Sequence, residues 1–201
     1  MHRKLILFYT VLLVLFTSHI QSLDLVIDGK IIESEWSDAR EITKYYESLP
    51  FTLNDASGSQ KVLVLEDEKG IYFGFINKQS NDSIRTQKHQ RDDEMANADM
   101  VGVSIDFDGD GLLSYGFSIS AGGSILDNVV RNENEVNYDW DSDWGYGVSI
   151  EGDVWYAEMF IPWSVAPMKA QSGDKRRVKL SFYRWLRGEF KVYTTIKISF
   201  F

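Results

Sequence analysis

Three groups of residues have the types and spacing that chemistry requires. The first is Asp106-x-Asp108-x-Asp110-Gly111. Alternate carboxylates in a tight turn can converge on one hard cation such as calcium, and glycine permits the bend. The spacing is that of the first half of an EF-hand loop, but the twelfth position is Phe117 rather than a bidentate glutamate. The expectation is therefore a calcium site of another construction, completed by backbone carbonyls or by Asp127. A solvated acidic turn is the alternative. The second group lies in the polar stretch 131–145, where Tyr138, Trp140 and Trp144 alternate with Asp139, Asp141 and Asp143. Flat rings stack on the apolar C–H faces of sugars, and carboxylates at the rim bind their hydroxyls. This loop is the predicted saccharide surface; the alternative is that its tryptophans fold back to cap the core. The third is His89, the one histidine beyond the N-terminal segment. Haem ligation would pair it with Met95 or Met100. A nucleophilic triad would also need it, but no nucleophile-elbow motif is present. Glycoside hydrolysis needs two carboxylates facing each other across a cleft, which linear order does not establish. The reading is a non-catalytic domain.

These groups need a frame, and the stretch 99–120 supplies its centre. Val101, Val103, Ile105 and Phe107 alternate with Gly102, Ser104 and Asp106. Leu113, Tyr115, Phe117 and Ile119 then alternate with Ser114, Gly116, Ser118 and Ser120. A period of two is the mark of a strand with one apolar face. The turn-forming run Asp108–Gly111 joins the two arms into a hairpin whose apolar face needs a second layer. Further strands are predicted at 25–28, 60–65, 71–77, 124–130, 146–150, 154–161, 178–184 and 190–200. Polar loops are predicted at 78–98, 131–145 and 166–175. Trp36 is expected to plug one end of the core. About ten short strands without a long helix point to an all-β fold, an antiparallel β-sandwich of immunoglobulin-like or jelly-roll-like type.

The totals narrow the function classes. The 201 residues carry 30 Asp+Glu against 21 Lys+Arg, a formal charge of −9, and no cysteine. Such a balance argues against nucleic acid and against anionic lipid, both of which require clustered cations. It suits neutral polar ligands and cations. The absence of cysteine excludes disulfides and thiolate chemistry. Residues 1–22 read as a secretory signal: His2, Arg3 and Lys4 lead into the apolar run Leu5–Phe16 and a polar exit at Ser22. An uncleaved anchor is the alternative. Cleavage removes Arg3 and Lys4 and takes the charge to −11. Residues 23–201 then form one domain, with no further apolar run long enough to span a membrane as a helix. The expected location is periplasmic, cell-envelope or extracellular.

Four segments in order carry a resemblance: Ile27-Asp-Gly-Lys with Glu35-Trp36, Ile71-Tyr-Phe-Gly-Phe, Asp99-x-Val-x-Val-x-Ile-Asp106, and Val154-Trp-Tyr-Ala-Glu-Met-Phe-Ile-Pro162. Together they resemble carbohydrate-binding module family 9, in particular the family-9-like domain that begins some exported bacterial outer-membrane-barrel proteins. The resemblance spans about 25–184. It implies a β-sandwich and a non-catalytic saccharide-binding role. It also implies a departure. The position of the family's stacking tryptophan corresponds to Ala96, that of a sugar-binding glutamate to Gly102, and that of a sugar-binding arginine to Gly116. The second stacking tryptophan has no counterpart. Two expectations follow. One is an exported module that holds a saccharide or polysaccharide through the loop 138–146, with structural calcium at Asp106, Asp108 and Asp110. The other is an envelope interaction or assembly domain, or an N-terminal piece of a barrel protein, that keeps the fold without sugar binding.

Overall fold

The central hairpin forms as its alternation dictates. In this computed structural model, β5 (Met100–Asp106) pairs antiparallel with β6 (Leu113–Ser120), Val103 facing Phe117 and Ser104 facing Gly116. The described residues are 25–32, 34–93, 96–132, 134–170 and 177–200, so the proposed signal segment 1–22 lies outside them. Before the hairpin come β1 (Arg40–Ile42), β2 (Tyr46–Leu49), β3 (Gln60–Glu66) and β4 (Gly70–Lys78). After it come β7 (Ile125–Arg131), β8 (Glu135–Asn137), β9 (Gly145–Glu151), β10 (Val154–Pro162), β11 (Val178–Leu186), β12 (Lys191–Thr194) and β13 (Ile198–Phe200). The small sheet runs β1-β3-β4-β10-β9. The large one runs β2-β12-β11-β5-β6-β7-β8, with β13 also on β11. Every pairing is antiparallel.

The inner faces of the two sheets enclose the core. Phe73, Phe75 and Trp155 come from the small sheet, and Phe107, Phe117 and Phe182 from the large one; all are fully buried. Phe182 meets Phe73 and Phe75 edge-on across the sandwich. Burying each such ring contributes about 1.5–3 kcal/mol. One charge shares this interior. Arg184 follows Val178, Leu180 and Phe182 in the inward phase of β11, at the end of the sandwich. Its guanidinium donates to four neutral oxygens: Ser59 O, Gln60 Oε1, Lys78 O and Gln79 Oε1. Burial pulls it down to about 10, still charged at neutral pH.

Four expectations change. The segment 25–28 is no strand but the start of a strap across the outer face of the small sheet. Trp36 does not plug the main core. It packs outside that sheet with Leu63, Leu65 and Tyr72 in a second apolar cluster. The strap is fixed by Glu158, fully buried on β10, which accepts Asp28 N–H, Gly29 N–H and the Trp36 indole N–H. Gly29 crosses β9 so closely that a Cβ would lie 2.5 Å from the Val148 backbone. The predicted strand 190–200 is split into β12 and β13, because Thr195 leaves the regular ladder and bonds to Phe182 with both its N–H and its hydroxyl. The loop 131–145 contains the short β8.

Candidate functional site

The small sheet is covered outside by the strap, but the large sheet keeps an outer face. Its rows follow from the register. Trp185 stands beside Met100 and Ser120, Tyr183 beside Gly102 and Ser118, and Ser181 beside Ser104, Gly116 and Asn128. Lys179 stands beside Asp106. Along these rows, burial changes. Met100, Gly102, Ser118, Ser120 and Leu126 are buried although they face away from the core. The segments 84–93 and 96–98 roof this end: His89 N–H bonds Ser124 Oγ, Asp92 N–H bonds Ile125 O, and Asp92 Oδ1 accepts Asp127 N–H. Fully buried Asp99 ties the roof down by accepting Arg85 N–H, Arg187 N–H and the Gln79 amide. The other half stays half-exposed at Ser104, Ser114, Asn128, Val130, Lys179 and Ser181.

The three positions matched to the family's sugar contacts are spread over this face. Ala96 is buried in the roof. Gly102 and Gly116 have been filled from neighbouring strands. A Cβ on Gly102 would lie 2.5 Å from the Tyr183 ring, and one on Gly116 2.6 Å from Asn128 Oδ1. The Tyr183 ring thus lies across Gly102 on β5 and hydrogen-bonds Ser118 on β6. Neither glycine site has room for a longer side chain without displacing these groups. Below them, Ser104, Asp106, Gly111, Leu112, Leu113, Ser114, Val130 and Lys197 line a cavity of about 270 Å³. That is near the lower limit of small-molecule sites, roughly 300–1,000 Å³, and suits one sugar ring or chain end.

The state of the polar groups distinguishes this half-face. Among the described residues, the side chains of Ser104, Ser114, Asn128, Ser181 and Lys197 make no hydrogen bond or ion pair. They remain hydrated and available. Asp106 is not: one carboxylate oxygen accepts Gly109 N–H at 2.7 Å and the other Gly111 N–H at 2.8 Å. Sequence reasoning missed the half-face because its members come from β5, β6, β7, β11 and the link after β12. The outward polar phase of the hairpin was the one visible signal.

The loop 138–146 is built differently from the sequence expectation. It closes the open side of the sandwich, and its two tryptophans turn inward. Trp144 is 9 % exposed, 5.6 Å from Phe117 and 5.3 Å from Tyr146. Trp140 is half-buried against Tyr115 and Phe117, themselves core residues. The reason is the wide apolar edge left beside Phe117, which large rings cover better than solvent does. Tyr138 is half-buried. Asp139, Asp141 and Asp143 are exposed, and Asp141 pairs with Arg91 at 2.8 Å. Arg91 also grips the fully buried Asp127 through Nε and Nη2, while Asp127 accepts Ser142 N–H. Asp92, Asp127 and Asp141 are the acidic set that converges among the described residues, with the Arg91 guanidinium against all three.

In the 106–111 turn, the resident cation is Lys169. Its ammonium lies 2.6 Å from Asp110 and 3.8 Å from Asp108, and its N–H donates to Asp108. The Lys169 hydrogen bond holds the Asp110 carboxyl below its ordinary value. Asp106, with both oxygens on backbone amides, serves as the staple of the turn. A calcium ion does not fit this arrangement unless Lys169 withdraws. In Lys169→Ala, the Asp110 pKa should rise toward the ordinary carboxylate value. Millimolar calcium should then move the amide signals of 106–112 in the variant and not in the native protein, as followed by NMR. His89 sits in the roof with Nδ1 on Gln90 O and Nε2 buried without a partner. Met100 is buried in the sheet, and Met95 lies outside the described residues.

No protein-family model and no curated protein matches this sequence. Solved structures match the fold. One is a protein of Bacteroides uniformis inferred to bind carbohydrate. It has a TM-score of 0.63 at 14% identity, over 86% of this chain and 83% of that one. Another is a carbohydrate-binding module of family 9 from Caldicellulosiruptor kristjanssonii in complex with cellotriose. Its TM-score is 0.55 at 11% identity, over 85% of this chain and 78% of that one. A family-9 module from the same organism in complex with glucose gives 0.51 at 14% identity, over 85% and 80%.

Proposed function

From the family-9 carbohydrate-binding-module fold that this chain shares, we propose that it is an exported, non-catalytic saccharide-binding domain. The ligand lies on the open half of the large sheet's outer face rather than on the loop 138–146. One observation carries this choice: Ser104, Ser114 and Lys197 line one cavity there and make no hydrogen bond or ion pair with another described residue, whereas the two tryptophans of the loop pack on the core. Sugars are recognised by a few such groups placed around a concave surface. Among the described residues that line the cavity, the one carboxylate is Asp106, whose two oxygens accept backbone N–H groups. Among the described residues no helix is long and apolar enough to cross a membrane.

The test is retention on a panel of immobilised polysaccharides, with Asn128→Ala and Ser104→Val in parallel. The expected outcome is retention of the native protein by at least one polysaccharide and a delay reduced several-fold in both variants. Retention of both variants equal to the native protein would exclude this face, and retention on no polysaccharide would remove the saccharide reading.

A second reading rests on a separate feature. Phe51 is 80% and Phe190 79% exposed, at the end of the β2–β12 edge where Leu49 pairs with Val192. Exposed aromatics grouped this way are typical of contact surfaces, and they favour an envelope interaction role. Co-purification of an envelope protein that Phe51→Ser with Phe190→Ser abolishes would support it.

A further inference from the structure

The charge of the cavity narrows the ligand. In a chain of net charge −9, several cations are matched by carboxylates. Lys61 pairs with Glu41, Lys191 with Glu189, Lys169 with Asp108 and Asp110, and Arg91 with Asp127 and Asp141. Lys197 lines the cavity and has no such partner among the described residues. Lys179, one strand from Asp106 on the same face, makes no ion pair there either, although its charge acts on Asp110. The acidic group within the cavity, Asp106, is already held by two backbone amides. An ammonium beside unpaired hydroxyls, with its nearby carboxylate engaged elsewhere, lacks one kind of group: an anion carried on a polyhydroxylated ring.

We infer that the cavity takes an acidic saccharide, a uronate, with its carboxylate on Lys197 and its ring hydroxyls on Ser104 and Ser114. This rests on the saccharide reading and specifies its substrate class. Lysine suits the task as a strongly hydrated point charge that tolerates varied approach. Because Lys197 is exposed, the attraction is screened by salt. A neutral sugar would gain hydrogen bonds from the serines but nothing from the charge.

The experiment is calorimetric titration of the protein with oligogalacturonate and, separately, with cellotetraose, at low and at physiological salt. Uronate binding at least ten-fold tighter than cellotetraose at low salt is expected, weakening as salt rises. Lys197→Ala should lose ten-fold or more for the uronate and less than two-fold for the neutral oligomer. Lys197→Arg should retain most of the affinity, and Lys61→Ala, on the other sheet, all of it. Equal binding of the two oligomers, or equal weakening of both by Lys197→Ala, overturns the acidic preference and leaves saccharide binding standing. A loss in Lys61→Ala as large as in Lys197→Ala shows general attraction to charge and also overturns it. Binding of neither oligomer, with no retention on the polysaccharide panel, brings down the saccharide reading itself.

Discussion

Glu158→Ala should destabilise the protein by about 3–5 kcal/mol, the cost of several buried donors left without an acceptor. The fully buried carboxylate accepts two backbone N–H groups of the strap, at 3.0 and 2.8 Å, and the Trp36 indole N–H at 3.3 Å. Alanine leaves three donors without an acceptor, and a buried donor in that state costs about 1–3 kcal/mol. The loss should appear in urea denaturation, with earlier proteolytic cleavage in 25–36 and a red shift of Trp36 emission. The pH dependence has a definite sign. Burial raises the Glu158 pKa above 4.5, more than its hydrogen bonds lower it. The folded state therefore holds this proton more tightly than the unfolded chain. The associated stability is complete below pH about 4.5 and is lost as pH rises through the folded value. Glu158→Gln should lack this fall, since it cannot ionise. A native protein whose stability is indifferent to Glu158→Ala would show that the strap is held by its apolar contacts alone.

Trp144→Ala should cost about 3–5 kcal/mol, as expected for deleting a large ring from a packed site. Its ring is nearly buried between Phe117 and Tyr146, at the edge where the two sheets would otherwise admit water. The same substitution in an exposed sugar platform would leave stability within about 0.5 kcal/mol and change only ligand affinity. Thermal or urea unfolding decides between the two. Asp139→Ala and Asp143→Ala, both exposed, serve as matched controls and should stay within about 0.5 kcal/mol. A Trp144→Ala protein as stable as the native one, yet unable to bind saccharide, would return the binding surface to the loop.

These two expectations show where linear order runs out. The hairpin was legible because pairing and pleat are local: Val101 to Phe107 and Leu113 to Ile119 keep their phase whatever surrounds them. The direction of an aromatic ring in a loop is not local. Trp140 and Trp144 stand among aspartates, the composition of a solvated surface, and still turn inward because Tyr115 and Phe117 leave an apolar edge beside them. The segment 25–28 carries apolar residues that read as a strand, but the distant Glu158 draws it into a strap.

The sequence by itself determined the class of the fold, the central hairpin and the outward polar phase of its strands, since alternation sorts side chains between oil and water before any contact forms. Only the tertiary structure decided which polar groups stay available. The Gly102 position is filled by Tyr183 and the Gly116 position by Asn128. Asp106 is spent on its own turn, Asp110 is matched by Lys169, and Lys197 is left unmatched beside Ser104 and Ser114. The physical reason is that a side chain's commitments are set by what stands within a few ångströms of it in space, and those neighbours come from strands far apart in the chain.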